Sequence, residues 1–398
     1  MKDKDITLNE VLRRQIEVAA NQFLQNELTA VLGYEPHTRI DRSKDDVNYR
    51  NGTYTRTIDT EYGEINLTIP RDRLNKFQNA LFPPYVRRTD GLEEMVIKMY
   101  SKGVTTREIA DMVERMYGHY YSPTTVSNIT KRTEHLVEEF HERKFKYSQY
   151  VCVFLDATYI PLRRGTVERE AVNVAIGIRS DGGKEVLDYS IAPTENGAAW
   201  SELLQGLRAR GIKDIQLFIA DGLVGLQSAI EANYPQAKFQ RCWVHAERNL
   251  LGYVRKNDRR EIITDFKAIR QAENLQAAKE RLAAFSAKWE SSYKRRIKNL
   301  VQMEELFTFF SFPTAIRQTI YSTNLIESFN KSLKKMVRRK EQFPNEGALD
   351  RFIMTQVMEY NDKFESCGRS FLFYTTFLTL SSQTMHLIPK NIFLTKIW

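Results

Sequence analysis

The chain has 398 residues, 42% of them hydrophobic, which is more than one average domain holds and enough for several packed cores. A formal net charge of +9 favours a polyanionic partner, and the apolar content argues against disorder as the default. Three scattered cysteines, Cys152, Cys242 and Cys367, argue against a disulfide framework and for a reducing compartment.

The opening Met1-Lys2-Asp3-Lys4-Asp5 has no apolar stretch behind it to act as a signal peptide. No apolar run reaches the roughly 18 residues of a membrane span, so the expectation is a cytoplasmic protein without a membrane partner. Residues 8–32 read as one helix with Leu8, Leu12, Ile16, Ala19, Phe23, Leu28 and Leu32 as its stripe, and Gly33 as its stop. That stripe docks on its own domain or forms a dimer contact. Residues 48–70 change to a period of two. Thr53, Thr55 and Thr57 alternate with Tyr54, Arg56 and Ile58, and Ile65, Leu67 and Ile69 alternate with Asn66 and Thr68. Asn51-Gly52 and Tyr62-Gly63 supply turns and Pro70 closes a small β-hairpin element.

Residues 91–140 pattern as a helix-turn-helix. Leu92 to Lys102 is helical and Gly103 breaks it. Thr105 and Glu108 form a capping box, and Ile109, Met112, Val113 and Met116 are the expected buried face before Gly118. Ser122-Pro123 starts a further helix. Its polar residues Thr124, Thr125, Asn128, Lys131 and Arg132 could reach base edges and phosphates, or could be the solvated side of an ordinary helical hairpin. A charged helix or linker fills residues 135–149.

Strands are expected at 150–155, 170–178, 185–192, 215–220 and 237–241, with helices at 197–210 and 223–233. Three antiparallel strands followed by αβαβ give a mixed sheet in the ribonuclease H-like order. Residues 243–320 show no strand and read as a helical insertion. Seven segments result: 1–34, an N-terminal helix; 35–90, the hairpin element; 91–149, the helix-turn-helix and linker; 150–242, the first part of the core; 243–320, the insertion; 321–364, the second part of the core; and 365–398, an aromatic tail without clear period.

Two acids interrupt this apolar pattern. Asp156 ends the run Val151-Cys152-Val153-Phe154-Leu155, and Asp221 ends Ile215-Gln216-Leu217-Phe218-Ile219-Ala220. Residues at the C-terminal ends of adjacent parallel strands converge on one crevice. Two carboxylates there repel unless a cation or a shared proton intervenes, and Mg²⁺ is the hard, oxygen-seeking ion that suits them. Glu327, opening a helix in Ser322-Thr323-Asn324-Leu325-Ile326-Glu327, could complete a site for two ions, or could be a first-turn acid in a helix capped by Asn324. Lys331, Lys334, Lys335, Arg338 and Arg339 follow it, and most share its helix face, as DNA-holding cations or as a solvated surface. Arg163, Arg164 and Arg169 are a weaker case of the same kind. Cys242 and His245 have half the spacing of a zinc site without a second pair, so packing is the plainer reading, as it is for Trp243.

Leu155-Asp156-Ala157-Thr158-Tyr159, Ala220-Asp221-Gly222-Leu223, Gln240-Arg241-Cys242-Trp243-Val244-His245 and Ser322-Thr323-Asn324-Leu325-Ile326-Glu327-Ser328-Phe329-Asn330 resemble the signature blocks of Mutator-type bacterial insertion-sequence transposases. The resemblance extends over nearly the whole chain and includes Arg50-Asn51-Gly52, Ile69-Pro70-Arg71-Asp72-Arg73 and Phe343-Pro344-Asn345. It implies a DDE transposase with an interrupted ribonuclease H-like domain, and Asp156, Asp221 and Glu327 as metal-binding catalytic residues with Cys242 and His245 flanking them. It also implies two Mg²⁺ ions, for which Mn²⁺ substitutes, double-stranded DNA partners (terminal inverted repeats and target), a homodimer, a copy-out, paste-in route, and nucleoid association while DNA is bound. A ribonuclease H-like nuclease or resolvase that only hydrolyses, and a non-catalytic DNA-binding regulator, are the alternatives.

Overall fold

The computed structural model describes residues 7–40, 47–82, 87–117 and 121–365. Gly118, Cys367 and the aromatic tail from 366 onward lie outside the described residues, and so does the N-terminal Met1 to Asp5. The chain divides into two units, Met1–Thr133 and Glu134–Trp398.

In the first unit, helix α1 (Leu8–Leu32) ends at Gly33, whose φ of 77° is the left-handed conformation expected of a helix stop. Strands β1 (Arg50–Thr60) and β2 (Gly63–Asp72) pair antiparallel, and Ile58, Ile65, Leu67 and Ile69 bury against Ala20 and Leu24 of α1. The buried stripe is therefore Ala20, Leu24 and Leu28. Leu8, Leu12 and Phe23, expected on that stripe, are exposed, because one row of small and leucine side chains covers the narrow face of a two-stranded sheet. Asn51-Gly52 is not a turn. It lies inside β1 where the register shifts, with Gly52 at a φ of 76°, and Pro70 sits within β2 opposite Thr53. Helices α2 (Asp90–Ser101), α3 (Thr106–Tyr117) and α4 (Pro123–Lys131) follow. The Thr105–Glu108 capping box forms, with Glu108 N donating to Thr105 Oγ1 at 3.2 Å and Thr105 N donating back to Glu108 Oε2 at 2.8 Å. Ser122 caps α4 through Thr125 N. Met112 and Met116 are exposed where burial was expected, since Ile109, Ala110 and Val113 suffice to close the α3–α4 contact.

The second unit begins with α5 (Glu134–Glu142). Its sheet comprises β3 (Gln149–Arg163), β4 (Val167–Ile178), β5 (Lys184–Ala192), β6 (Asp214–Ala220) and β7 (Lys238–Arg241), in the order β5-β4-β3-β6-β7. β5, β4 and β3 are antiparallel, whereas β3-β6 and β6-β7 are parallel. Helices α6 (Gly197–Ala209) and α7 (Leu226–Asn233) cover one face. Trp200, Leu203, Leu204 and Leu207 bury there against Val153, Leu155 and Phe218. After β7 every regular element described is helical: α8 (Trp243–Leu251), α9 (Arg259–Arg270), α10 (Leu275–Val301), a 3₁₀ helix (Glu304–Ser311), α11 (Thr314–Ile320), α12 (Asn324–Lys340) and α13 (Glu346–Glu365). Trp243 is core, as its apolar setting implied: its ring packs on Phe266 and Phe307, and its Nε1 donates to Leu306 O. Among the described residues no helix is long and apolar enough to cross a membrane.

An ion-pair network ties α5 to the sheet. His141 Nδ1 lies 2.8 Å from Asp188 Oδ1, its Nε2 lies 4.0 Å from Asp350, and Arg210 pairs with the other Asp188 oxygen. Burial opposes charge on His141, but hydrogen bonds to Asp188 and Asp350 overcome it and raise the imidazolium to about 9 from the usual 6.5. A raised value stabilises the fold fully below 6.5 and loses that contribution as pH climbs through 9. The gap in urea stability between the wild type and His141→Gln is therefore expected to be largest below pH 6.5 and to close by about pH 9. A gap that stays constant across that window would refute the charged pair.

Candidate active site

Parallel register does most of the positioning. β3 pairs with β6 up to Phe154↔Ile219, and β6 pairs with β7 up to Ala220↔Arg241. Carried on by the two-residue repeat, the first register sets Asp156 opposite Asp221 where β6 leaves the sheet. The second sets Cys242 next in line, and Cys242 N donates to Ala220 O at 2.7 Å. The aspartates differ in one respect from expectation. Asp156 does not end its strand, because β3 runs on to Arg163 as one arm of a long hairpin with β4, and Asp156 pairs with Val174 there. Only the β6 side of β3 is vacated at Asp156. At Asp221 the chain does turn, through Gly222 at a φ of 84°. That backbone conformation demands glycine, and a Cβ there would also have to displace the Arg241 guanidinium, which packs against Gly222.

The third acid comes from α12. Its N-cap is Thr323 rather than Asn324, and the Thr323 side chain does not cap the helix. Thr323 N and Oγ1 instead donate to the buried Cys242 Sγ at 3.3 and 3.2 Å, while Trp243 N donates to Tyr321 O at 3.0 Å. The start of α12 is thereby fastened to the β7–α8 junction. Two turns later Asn330 Nδ2 donates to Asp156 Oδ2 at 2.8 Å, and Asn330 Oδ1 is buried without a hydrogen-bond partner. Glu327 lies between these two anchors. Both its oxygens are taken by Arg248 of α8, at 2.9 Å from Nη1 and 3.1 Å from Nη2, with His245 Nε2 at 3.5 Å.

Asp156, Glu327, His245, Arg248 and Asn330 line one cleft of about 580 Å³, together with Lys331, Lys334, Lys335 and Arg338. Asp221 opens on a neighbouring cleft of about 330 Å³ with Arg241, Tyr253 and Arg296. The cations expected on the Glu327 face of α12 thus reach the same cleft as the acid. Lys334 and Arg338 also line a third cleft with Arg169. Arg164 is instead paired with Glu170 and Glu346. In the first unit Thr124, Asn128 and Lys131 are exposed, Thr125 is drawn into the Ser122 cap, and Arg132 pairs with Glu93.

Electrostatics reflect the crowding of acids. Burial raises the Asp156 carboxyl above its usual range, and Asp221 and Glu327 add to the rise against the opposing Asn330 bond and His245 charge. His245 is raised to about 9, first by its hydrogen bond with Cys242 and then by the two aspartates, with burial opposing. Burial pushes against ionisation of Cys242, but His245 and Thr323 outweigh it and lower the thiol. Glu195, just before α6, is raised to about 7, chiefly by burial and next by Asp221. Its Oε1 accepts from Trp200 Nε1 at 3.1 Å. Sequence reasoning missed Glu195, which lies in a loop with no local signal, and it missed Arg248 and Asn330. Those two were legible in principle: Asn330 is three residues after Glu327 and Arg248 three after His245, each on the same helix face.

The donor set is all oxygen at the aspartates, which suits a hard divalent cation, and mutual repulsion of Asp156 with Asp221 and Glu327 adds to the demand for one. Among the described residues no three His, Cys, Asp or Glu side chains are gathered to hold an ion, consistent with Glu327 being held by Arg248.

The Mutator-family transposase profile matches residues 2–367, and the chain belongs to that family of transposases. It is 50% identical over 354 residues to the transposase for insertion sequence element IS1201 of Lactobacillus helveticus, spanning 89% of this chain and 95% of that protein. It is 49% identical to the transposase for IS905 of Lactococcus lactis subsp. lactis, over 89% of this chain and 90% of that one. The transposase for IS256 in transposon Tn4001 of Staphylococcus aureus is 26% identical over 92% of this chain and 93% of its own length. A chain of a pre-cleavage Mos1 transpososome aligns over 68% of this chain and 83% of its own at 11% identity, with a TM-score of 0.17 that carries no argument about this fold.

Cys242 is the buried acceptor for two donors of the α12 cap. Cys242→Ala removes the acceptor of Thr323 N, while Thr323 Oγ1 keeps His245 Nδ1 at 3.4 Å and Glu327 Oε1 at 3.5 Å within reach; the expected cost is about 1–3 kcal/mol in urea unfolding, with Cys242→Ser losing less. Equal, negligible losses in both variants would show that the thiol does not hold α12.

Proposed function

We propose that this protein is a DDE transposase. It binds the terminal inverted repeats of an insertion sequence, cleaves a DNA strand to free a 3′-hydroxyl, and joins that hydroxyl to a second phosphodiester. The sheet order β5-β4-β3-β6-β7 supports reading this sheet as a ribonuclease H-like core, with residues 243–320 as its helical insertion. The observation that carries the reading is the parallel register that puts Asp156 and Asp221 on neighbouring strands, with the Glu327 helix bonded to Asp156 through Asn330. Family membership and the insertion-sequence relatives support DNA ends as substrate.

In this reading Asp156 and Asp221, with Glu327, hold two Mg²⁺ ions. Bound there, the ions supply Lewis-acid activation of the attacking oxygen and charge stabilisation at the leaving one. The chain's own residues do the rest. Asn330 fixes the orientation of the Asp156 carboxylate. Lys331, Lys334, Lys335 and Arg338 hold phosphates along the cleft, so that scissile strand and nucleophile meet in line. The Cys242–Thr323 bonds fix the start of the helix that delivers Glu327. Thr124, Asn128 and Lys131 on α4 are the surface offered to terminal-repeat DNA. Copy-out, paste-in transposition by a dimer, with Mn²⁺ able to replace Mg²⁺, completes the proposal.

Asp156→Asn, Asp221→Asn and Glu327→Gln are each expected to abolish cleavage and strand transfer while leaving duplex binding within a few-fold of wild type. The check is a gel assay with intact and pre-cut repeat ends. Retained cleavage in any of the three would remove that residue from the catalytic set, and cleavage without joined products would reduce the enzyme to a nuclease.

Replacing Lys331, Lys334, Lys335 and Arg338 with alanine should flatten the dependence of DNA affinity on salt. The expected drop in the log–log slope is about 0.9 for each phosphate that is no longer neutralised, read by fluorescence anisotropy. An unchanged slope would move the DNA path elsewhere.

A further inference from the structure

Glu327 is not merely near a cation; it is fully occupied by one. Both Arg248 nitrogens grip both carboxylate oxygens, at 2.9 and 3.1 Å. These are the oxygens that an ion would need. Arg248 is 56% exposed and projects into the cleft that Lys331, Lys334, Lys335 and Arg338 make attractive to a polyanion. The backbone beneath Glu327 is fastened by Thr323 to Cys242, so exchanging partners takes side-chain rotation and no movement of α12. The guanidinium also neutralises Glu327, one of the two acids whose charge bears on Asp156.

We infer that Arg248 is a clasp coupling DNA binding to completion of the metal site: it competes with a cation for Glu327, and a DNA phosphate that takes the guanidinium frees the carboxylate for the cation. The inference rests on the reading of Glu327 as a metal ligand. Each half of the pair has a second partner that binds it better. A phosphate oxygen pair matches the guanidinium fork as a carboxylate does. A divalent ion outcompetes a solvent-exposed guanidinium for the carboxylate, since exposed ion pairs are weak. Because one ligand removes the obstacle to the other, the coupling is reciprocal: DNA tightens metal binding by the factor by which metal tightens DNA binding. Arg248 is thus a positioning residue for Glu327, and the metal site is weakened while no DNA is bound.

The test is Mn²⁺ binding, followed by calorimetry and by the electron paramagnetic resonance of free Mn²⁺, with and without a short random-sequence duplex at low salt. Wild type should bind Mn²⁺ more tightly once the duplex is added. Arg248→Gln should bind it about three- to tenfold more tightly than wild type without DNA, and should lose most of the gain on adding DNA. Arg248→Lys, which keeps the charge without the fork, should fall between. In a Glu327→Gln background the Arg248→Gln gain should vanish, and that double-mutant cycle separates a clasp from a general loss of positive charge near the aspartates. Circular dichroism confirms that the exposed substitution leaves the fold intact. The inference is overturned if Arg248→Gln binds Mn²⁺ as wild type does, or if its gain persists in the Glu327→Gln background. Should Glu327→Gln alone leave Mn²⁺ affinity unchanged with the duplex present, the metal-ligand reading falls first; that result is seen without touching Arg248.

Discussion

Where the backbone of β6 meets β3 on one side and β7 on the other, the parallel hydrogen-bond ladder leaves no freedom in register. A one-residue slip of β6 against β3 would turn Phe218 away from the face where it packs with Val153 and Leu155. The apolar packing under α6 and α7 therefore specifies the register, and the register specifies which side chains stand together where β6 leaves β3. Asp156, Asp221 and Cys242 come from three separate stretches of sequence, but they occupy consecutive places across one sheet edge. Nothing else in the site is placed so firmly, and every other functional group is hung from this row. Cys242 starts α8, which brings His245 and Arg248, and receives α12, which brings Glu327 and Asn330.

Charge arranges itself around that row in a way the ladder alone does not dictate. Asp156, raised by burial and by its neighbouring acids, faces a histidine raised to about 9 and a guanidinium that grips the third acid. The site carries its own counterions while no other cation is bound. Such an arrangement is cheap to hold, because the pairs are short-range and partly exposed, and it is easy to exchange for the same reason.

Much of this was legible in the sequence because much of it is periodic. The five strands, the two helices over the sheet and the helical stretch after β7 follow from apolar runs and turn residues, and the capping box at Thr105 and Glu108 follows from its spacing. The aspartates were legible because a charge at the end of an apolar run is costly without a purpose. The errors have physical causes. Asp156 reads as a strand end because polarity changes there, yet the hairpin with β4 carries the strand on to Arg163 in a mixed-polarity region. The stripe of α1 falls one row from its expected place because seven apolar residues can be drawn on two neighbouring faces, and only the partner sheet decides which is covered. Asn51-Gly52 carries a turn signature that the chain uses for a bulge. Arg248 could not be assigned its partner at all, since its 79-residue separation from Glu327 is bridged only in three dimensions.

The stitching of Trp243 to Tyr321 and of Cys242 to Thr323 has a bearing on how such a chain can change. The helical segment is joined to the core at more than its two ends, since Gln240 of β7 donates to Leu306 O and accepts from Phe309 N well inside it. Its first helix, α8, also carries the arginine that holds Glu327. A change in how the segment's interior packs is therefore passed on to the third acid through α8, and the core and its helical segment are tied as one mechanical body.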